Sequence, residues 1–446
     1  MAVPPPRPRP ALLERLALHR PELRAWTLYD CANSAAVTSV VTAIFPIYFS
    51  TVAARGTAPA RATAAYAWVT TAALVAVALL APLLGAVADV RPWKKRLLGA
   101  FAGLGILATA GLSFVGPGAW LAGAGLFLLV NIGLNGSFVF YDALLPHVAR
   151  EDELDRVSSA GYAIGYLGGG LLLAAQLVLL QRPAWFGLAG ADPTLPARLT
   201  FLSVAVWWAL FTLPLLRTVK ERTPPSSVEA GGAALQALAR LGTTFRHLRR
   251  HRQALLLLAA FLLYNDGIGT IIRMAAIYGT ELGLSRGTLI GAILLVQVLG
   301  VPAAYAFASL AGRMSAKRAI LLGLGVYVVV AVLAYYTSSE AHFWALAVLV
   351  GLVQGGTQAL SRSLFASLVP RRMSGEFFGF FSVFDKVAGI LGPLAFGLVS
   401  TATGSSRGAV LSVIAFFVIG AALLARVDVE RGRREAEEAD AAGETG

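Results

Sequence analysis

Twelve stretches of this chain are apolar for long enough to cross a bilayer, and no other feature constrains its fold as strongly. They are 25–51, 64–89, 97–115, 119–141, 157–181 and 199–216, then 254–280, 287–311, 319–337, 342–368, 376–401 and 408–425. The hydrocarbon core of a membrane takes roughly 17–25 helical residues per crossing. Of 446 residues, 57% are apolar and only 14% charged. A soluble domain carries about 25% charged residues, so this chain lacks the charge to coat its surface in water, and lipid is the natural solvent for the excess. The 46 glycines fit the same reading, because small residues let membrane helices approach closely.

A net charge of +13 would suggest nucleic acid in a soluble protein. Its distribution argues otherwise, and no nucleic-acid partner is expected. Twenty-eight of the 37 Lys and Arg fall in the N-terminal arm, alternate loops and the C-terminal tail. The opposite loops hold six: Arg55, Arg61, Arg182, Arg198, Arg286 and Arg407. Arg273, Arg362 and Lys386 fall within spans. The positive-inside rule then predicts cytoplasmic N- and C-termini for a multi-pass membrane protein. The Pro/Arg-rich start, PPPRPRP, lacks the early apolar core of a cleavable signal peptide.

The expected organisation is an N-terminal cytoplasmic arm (1–24), a six-helix bundle (25–216), a cytoplasmic linker (217–253), a second six-helix bundle (254–428) and a cytoplasmic tail (429–446). The linker opens with a turn-rich run, ERTPPSSVEAGG. It closes with LQALARLGTTFRHLRRHR, a basic amphipathic segment suited to the anionic inner leaflet or, less simply, to a partner protein. The acidic tail EAEEADAAGETG reads as disordered.

The two halves echo each other. Span four ends in Leu144-Leu145-Pro146 and span ten in Leu368-Val369-Pro370. Gly165 and Gly168 in span five correspond to Gly389 and Gly392 in span eleven, and one offset of 224 residues relates all of these. A duplicated six-span unit is a common transporter plan, with the solute held between the halves near mid-membrane.

Several motifs carry a family resemblance. Gly85-Ala86-Val87-Ala88-Asp89 followed by Lys94-Lys95-Arg96 resembles the cytoplasmic loop signature of the major facilitator superfamily, and Arg313-Met314-Ser315-Ala316-Lys317-Arg318 is a degenerate second copy. An acid at a helix end beside such bases can latch neighbouring helices, which makes Asp89 a gating candidate; ordinary topology-setting charge is the simpler alternative. WTLYDCANS…FPIYF (26–49), FYDALLPHVAREDELDRVSSAGYAIGYLGGG (140–170), LLYNDGIGTII (262–272) and VQGGTQALSRSLFASLVP…EFFGFF (353–381) resemble the vacuolar effluxer-like, autophagy-related branch, in a bacterial form. The resemblance implies an all-α membrane protein with twelve transmembrane helices in two pseudo-symmetric six-helix bundles, the major facilitator fold. For the fungal members it implies export of amino acids from the vacuole. It also implies that spans one, four, seven and ten line the cavity.

Polar side chains inside a membrane span are costly and therefore functional candidates. They gather on those four spans. Span one carries Asp30, Asn33 and Ser34, and span four Asn131, Asn135 and Asp142. Span seven carries Asn265, Asp266, Thr270 and Arg273, and span ten Gln354, Gln358, Ser361 and Arg362. Asn33, Asn131, Asn135, Asn265, Asp266, Thr270, Arg273, Gln354 and Gln358 are the expected cavity residues. For any single one of them an interhelical hydrogen bond is the plainer role. Asp30 and Asn33 are spaced to share a helix face. Asp266 and Arg273 lie about 10 Å apart along a helix axis, a gap that suits the two ends of a zwitterion as well as separate salt bridges. Asp266 is the leading proton-coupling candidate. Asp30, Asp142 and Arg362 are expected at an inner gate. In span eleven, the neighbours Asp385 and Lys386 should contact different helices. The glycines of span five resemble the antiporter motif of drug exporters, without its proline, and otherwise serve close packing.

An enzyme is not expected. All five histidines lie in loops or at span ends, and HExxH, GxGD and a Walker A loop are missing. Cys31 alone can form neither an internal disulfide nor a cysteine-built metal site. No cofactor or metal is expected. The resulting expectation is a monomeric secondary transporter for a small polar or zwitterionic solute, amino acids being favoured by resemblance, with protons or another ion as the coupling partner. The alternatives are a proton-coupled exporter of drugs or amphiphiles and a non-transporting receptor or scaffold.

Overall fold

The computed structural model describes residues 12–57, 92–188, 190, 192–221, 251–282, 284–403 and 406–444, with scattered positions between 69 and 88. Among the described residues every regular element is helical. Span one is the helix Pro21–Ala53, and spans three to six are Lys94–Leu112, Trp120–Val148, Leu154–Gln181 and Leu195–Thr218. Spans seven to twelve are Arg252–Glu281, Arg286–Met314, Ala316–Tyr335, Glu340–Ser367, Ser374–Thr403 and Ser406–Ala425. Ten of the described helices are long and apolar enough to cross a membrane. Span two, Asp89 and the basic part of the linker lie largely or wholly outside the described residues.

Helix ends follow local chemistry. Pro21 opens span one and Pro196 lies in the first turn of span six, where the missing N–H costs nothing. Ser285 and Ser339 cap spans eight and ten by accepting from the N–H of Thr288 and His342. Span one is α-helical to Ala35, then winds as a wider π-helix over Ala36–Ile44 and again over Phe49–Ala53. Large apolar side chains point outward, among them Leu79, Leu107, Phe114, Leu121 and Val298. In lipid that exposure is the stable arrangement. Trp26, Trp208, Tyr141 and Tyr327 fill the interior.

The repeat has a physical basis at two places. A methyl group on Gly168 would overlap Cys31 Sγ, and one on Gly392 would overlap Thr270 Oγ1. In each half, therefore, a glycine lets the fifth helix of the bundle close onto the first. The basic loops match as well. Lys95 Nζ donates to the carbonyl of Val219 (2.5 Å) just past span six. Lys317 Nζ donates to the carbonyls of Ala425 (2.7 Å) and Val427 (2.8 Å) at the end of span twelve. Both ammonium groups sit where a helix leaves its last carbonyls unpaired and its dipole negative. The Lys94-Lys95-Arg96 segment thus holds its own half together: Glu221 also accepts from the N–H of Lys94 (3.0 Å) and Lys95 (2.7 Å).

The tail departs from expectation. Instead of a disordered end, Val429–Glu444 forms a helix. Its Asp440 accepts from the N–H of Arg371 (2.9 Å) and Arg372 (3.4 Å) in the loop between spans ten and eleven. Gln253 accepts from the N–H of Asp428 (2.8 Å), and Ala436 is buried. Composition misled because the segment borrows its stability from the bundle above it. Charge-assisted hydrogen bonds contribute about 1.5 kcal/mol or more. Asp440→Ala is therefore expected to raise amide hydrogen exchange across 431–443 about tenfold, as read by mass spectrometry; unchanged protection would show that Asp440 does not hold the helix down.

Candidate functional site

The basic loops that carry Arg150, Arg371 and Arg372 mark one end of the bundle, and at that end the two halves interlock through side chains. Ser374 at the start of span eleven donates to the carbonyl of Ala143 (3.0 Å), while His147 Nε2 lies 3.2 Å from its hydroxyl oxygen. Ser363 donates to Asp155 (2.5 Å), and Arg371 pairs with Glu151 (3.1 Å). Gly85 packs so tightly on the backbone of Gly375 that a methyl group there would overlap its carbonyl.

The centre of the interlock is Arg362. It projects from span ten of the second half into a recess of the first, and its side chain is only 3% exposed. Nη1 lies 3.1 Å from Asp142 Oδ1 and 3.5 Å from Asp30 Oδ2. Nε donates to Ser158 Oγ (2.9 Å) and Nη2 to the Ser158 carbonyl (2.9 Å). Ser158 Oγ in turn donates back across the boundary to the carbonyl of Ala359 (2.7 Å). The guanidinium carbon stands 4.9 Å, 5.3 Å and 4.6 Å from the ring centroids of Trp26, Tyr141 and Tyr162. A buried cation needs this: anions and hydrogen bonds in its plane and π-electrons on its faces.

The surrounding groups are themselves fixed. Tyr141 Oη donates to Asp30 Oδ2 (3.1 Å), and Ser34 Oγ to Asp30 Oδ1 (3.1 Å). Trp26 stacks on Tyr141 at 4.3 Å and donates from Nε1 to its carbonyl (3.0 Å). Gly161 provides the room, since a Cβ there would stand about 3.0 Å from Asp30, Arg362 and Tyr141 at once. Helical spacing explains the assembly. Trp26 and Asp30, and Ser158 and Tyr162, are i, i+4 pairs that share a face.

The other expected residues go to different places. Asn131 and Asn135 donate to carbonyls of their own helix, Phe127 (2.9 Å) and Asn131 (2.8 Å). Asn33 does not join Asp30; Ser34 does, and Asn33 is buried beside the hydroxyl of Tyr29, near Trp208 and Ser137 of the same half. Asp266 is fully buried, and its Oδ2 accepts from the N–H of Gly392 (2.6 Å). Thr270 donates to the Asp266 carbonyl (2.7 Å). Both therefore face span eleven of their own bundle. Asn265 donates to Asp385 Oδ1 (2.9 Å). Gln354 is half-buried and bonds the hydroxyl of Tyr166; Gln358 is half-buried. The side chains of Arg273 and Lys386 lie outside the described residues, as does Asp89. Polarity alone did not point to Trp26, Tyr141, Tyr162, Tyr166 and Ser158. The signal for Trp26, Tyr162 and Tyr166 was their i, i+4 spacing from Asp30, Ser158 and one another, and for Tyr141 its place next to Asp142.

The fold and this interlock define a membrane transporter of the major facilitator type. Solved structures of that type superpose on the chain. A proton:xylose symporter, XylE, bound to 6-bromo-6-deoxy-D-glucose, matches with a TM-score of 0.68 at 15% identity, over 94% of this chain and 98% of that one. A bacterial homologue of the iron transporter ferroportin, in an outward-facing state, matches with a TM-score of 0.67 at 15% identity, over 91% and 99%. Residues 18–437 match the family described as vacuole effluxer Atg22 like, and the chain belongs to that family. The MFS-type transporter YxiO of Bacillus subtilis, itself uncharacterized, is 37% identical over 413 residues, 91% of this chain and 94% of that protein. Autophagy-related protein 22 of Yarrowia lipolytica is 29% identical over 311 residues, 63% of this chain and 52% of that protein.

Removing one partner of a buried ion pair costs about 3–5 kcal/mol, whereas a neutral hydrogen bond contributes about 1 kcal/mol. Asp30→Ala is thus expected to lower the thermal unfolding midpoint of the purified protein well beyond Tyr141→Phe. Equal effects of the two would mean that Asp30 does not neutralise Arg362.

Proposed function

We propose that this protein is a secondary active transporter that carries a small polar or zwitterionic solute across a bacterial inner membrane by alternating access. The observation that carries the reading is the character of the interlock. Two pseudo-equivalent bundles meet at the basic end through a few directional contacts centred on one buried guanidinium. Such a joint has two discrete states, made and broken, and an equilibrium between them is what a transport cycle requires.

By the positive-inside rule the basic end faces the cytoplasm. The described arrangement is then sealed on the cytoplasmic side, with Asp30, Asp142 and Arg362 as the gate. Opening that gate moves Arg362 out of its recess, and the solute must offset the lost contacts. The family description as an effluxer favours outward movement, and the family resemblance favours an amino-acid-like cargo. Gln354, Tyr166 and Gln297, which reaches Thr38 across the halves at 3.4 Å, offer neutral hydrogen-bonding groups above the gate. Asp266 remains the proton-coupling group in this reading. Its contact with Gly392 lets a change of charge alter the packing of span eleven on span seven. The protein works as a monomer, with protons as coupling partner and no cofactor.

The reading is tested by solute counterflow in proteoliposomes across a panel of amino acids and polar metabolites, with saturable exchange of at least one member as the expected result. Exchange confined to hydrophobic drugs would replace the polar-solute reading, and a lack of exchange for every solute would leave a scaffold. Asp266→Asn is expected to keep counterflow while losing accumulation driven by a proton gradient; undiminished accumulation would remove Asp266 from coupling.

A further inference from the structure

The recess that holds Arg362 has an unequal ownership. Trp26 and Asp30 come from span one, Tyr141 and Asp142 from span four, and Ser158 and Tyr162 from span five. All six belong to the first half, and only the guanidinium comes from the second. Most contacts that shape the walls also stay within the first half: Trp26 on Tyr141, Tyr141 on Asp30, Ser34 on Asp30; Ser158 Oγ reaches back to the Ala359 carbonyl of the second half. Without the guanidinium, the contacts within the first half would still be made. What remains is a preformed cage with two carboxylates, a serine hydroxyl and carbonyl, and three aromatic faces.

We propose that this cage is a binding site for the guanidinium group of a cationic solute, with Arg362 as its built-in competitor. The inference rests on the transporter reading above and narrows its substrate class. Two carboxylates left in a low-dielectric recess either bind a cation or take up protons, so they favour a cationic guest. The groups present fit a planar, delocalised cation better than a compact one. The carboxylates and the Ser158 carbonyl accept around the guanidinium edge, while Trp26, Tyr141 and Tyr162 stand at cation–π distance. Because the cage is preorganised, binding loses little to side-chain ordering. The glycine at 161 leaves the volume that the second arm of the guanidinium occupies, with Nη2 about 3.0 Å from where a Cβ would stand. The competition gives the transport cycle a lock. A solute guanidinium in the cage blocks re-entry of Arg362 until it departs, so the cytoplasmic gate closes only on an emptied cage.

The experiment uses full-length purified protein, wild type and Arg362→Ala, probed with arginine, agmatine and the neutral isostere citrulline. Binding is read by thermal shift and by tryptophan fluorescence. Arginine and agmatine are expected to stabilise Arg362→Ala saturably, at least tenfold more tightly than citrulline and at least tenfold more tightly than they bind wild type. The Asp30→Asn/Arg362→Ala double variant is expected to lose that preference. Equal binding of arginine and citrulline, equal affinity in wild type and Arg362→Ala, or no saturable binding to Arg362→Ala each overturns the proposal. If Arg362→Ala fails to fold, wild-type counterflow decides: exchange of arginine or agmatine in preference to citrulline, lost in Asp30→Asn, supports the cage. Exchange of neutral solutes with guanidinium compounds excluded overturns it and leaves the transporter reading intact. Exchange of nothing on the panel overturns both.

Discussion

A guanidinium buried between two helix bundles dictates much of what surrounds it. Arginine does not give up its proton in a protein, so at 3% exposure Arg362 must be neutralised and hydrogen-bonded where it stands. Asp30 and Asp142 supply the charge, Ser158 supplies two acceptors, and three rings cover the faces. That requirement sets the register of span ten against spans one, four and five. It also explains why Gly161 lies between them, since a side chain there would displace either the acid or the base. The remaining contacts at the basic end, such as Ser374 with Ala143 and Ser363 with Asp155, follow from a register already fixed by the ion cluster.

The helices, their order and the duplication were legible in the sequence because a membrane makes them so. Each span must satisfy its own backbone, so length and apolarity alone locate it, and the described helices begin and end within a few residues of the apolar runs, except that span four continues past 141 to Val148. The ion cluster was legible in part. Asp30, Asp142 and Arg362 stood out as charges within apolar spans, and the structure brings all three together. The polar stripes were a weaker guide. Polarity says that a side chain needs a partner in lipid but not which partner, and Asn131 and Asn135 found theirs one turn back on their own helix. Asn33 shows the limit of spacing arguments. It is one residue short of a full turn from Asp30, and the structure gives the i, i+4 place to Ser34. The tail helix was illegible for a different reason, because its stability lies in contacts with Gln253 and the 371–372 backbone that no local pattern records.

The duplication is faithful in scaffolding and unfaithful in charge. Gly168 and Gly392 do the same work 224 residues apart, and Lys95 and Lys317 hold equivalent helix ends. At the interlock the offset breaks down: Arg362 corresponds to Phe138, Tyr141 to Phe365, and Asp142 to Ala366. The Tyr29-Asp30-Cys31 of span one aligns by residue type with Tyr264-Asn265-Asp266 of span seven. On that alignment the acid of the first half, Asp30 beside Gly161, becomes in the second half Asn265 beside Asp385. Two identical surfaces related by a two-fold axis make every off-axis contact twice, so an arginine-in-cage joint between them would come as a reciprocal pair. One arginine in one cage, as here, requires halves that differ at that contact. The divergence therefore concentrates where the halves touch, while the helix-packing glycines and lysines inside each half stay paired.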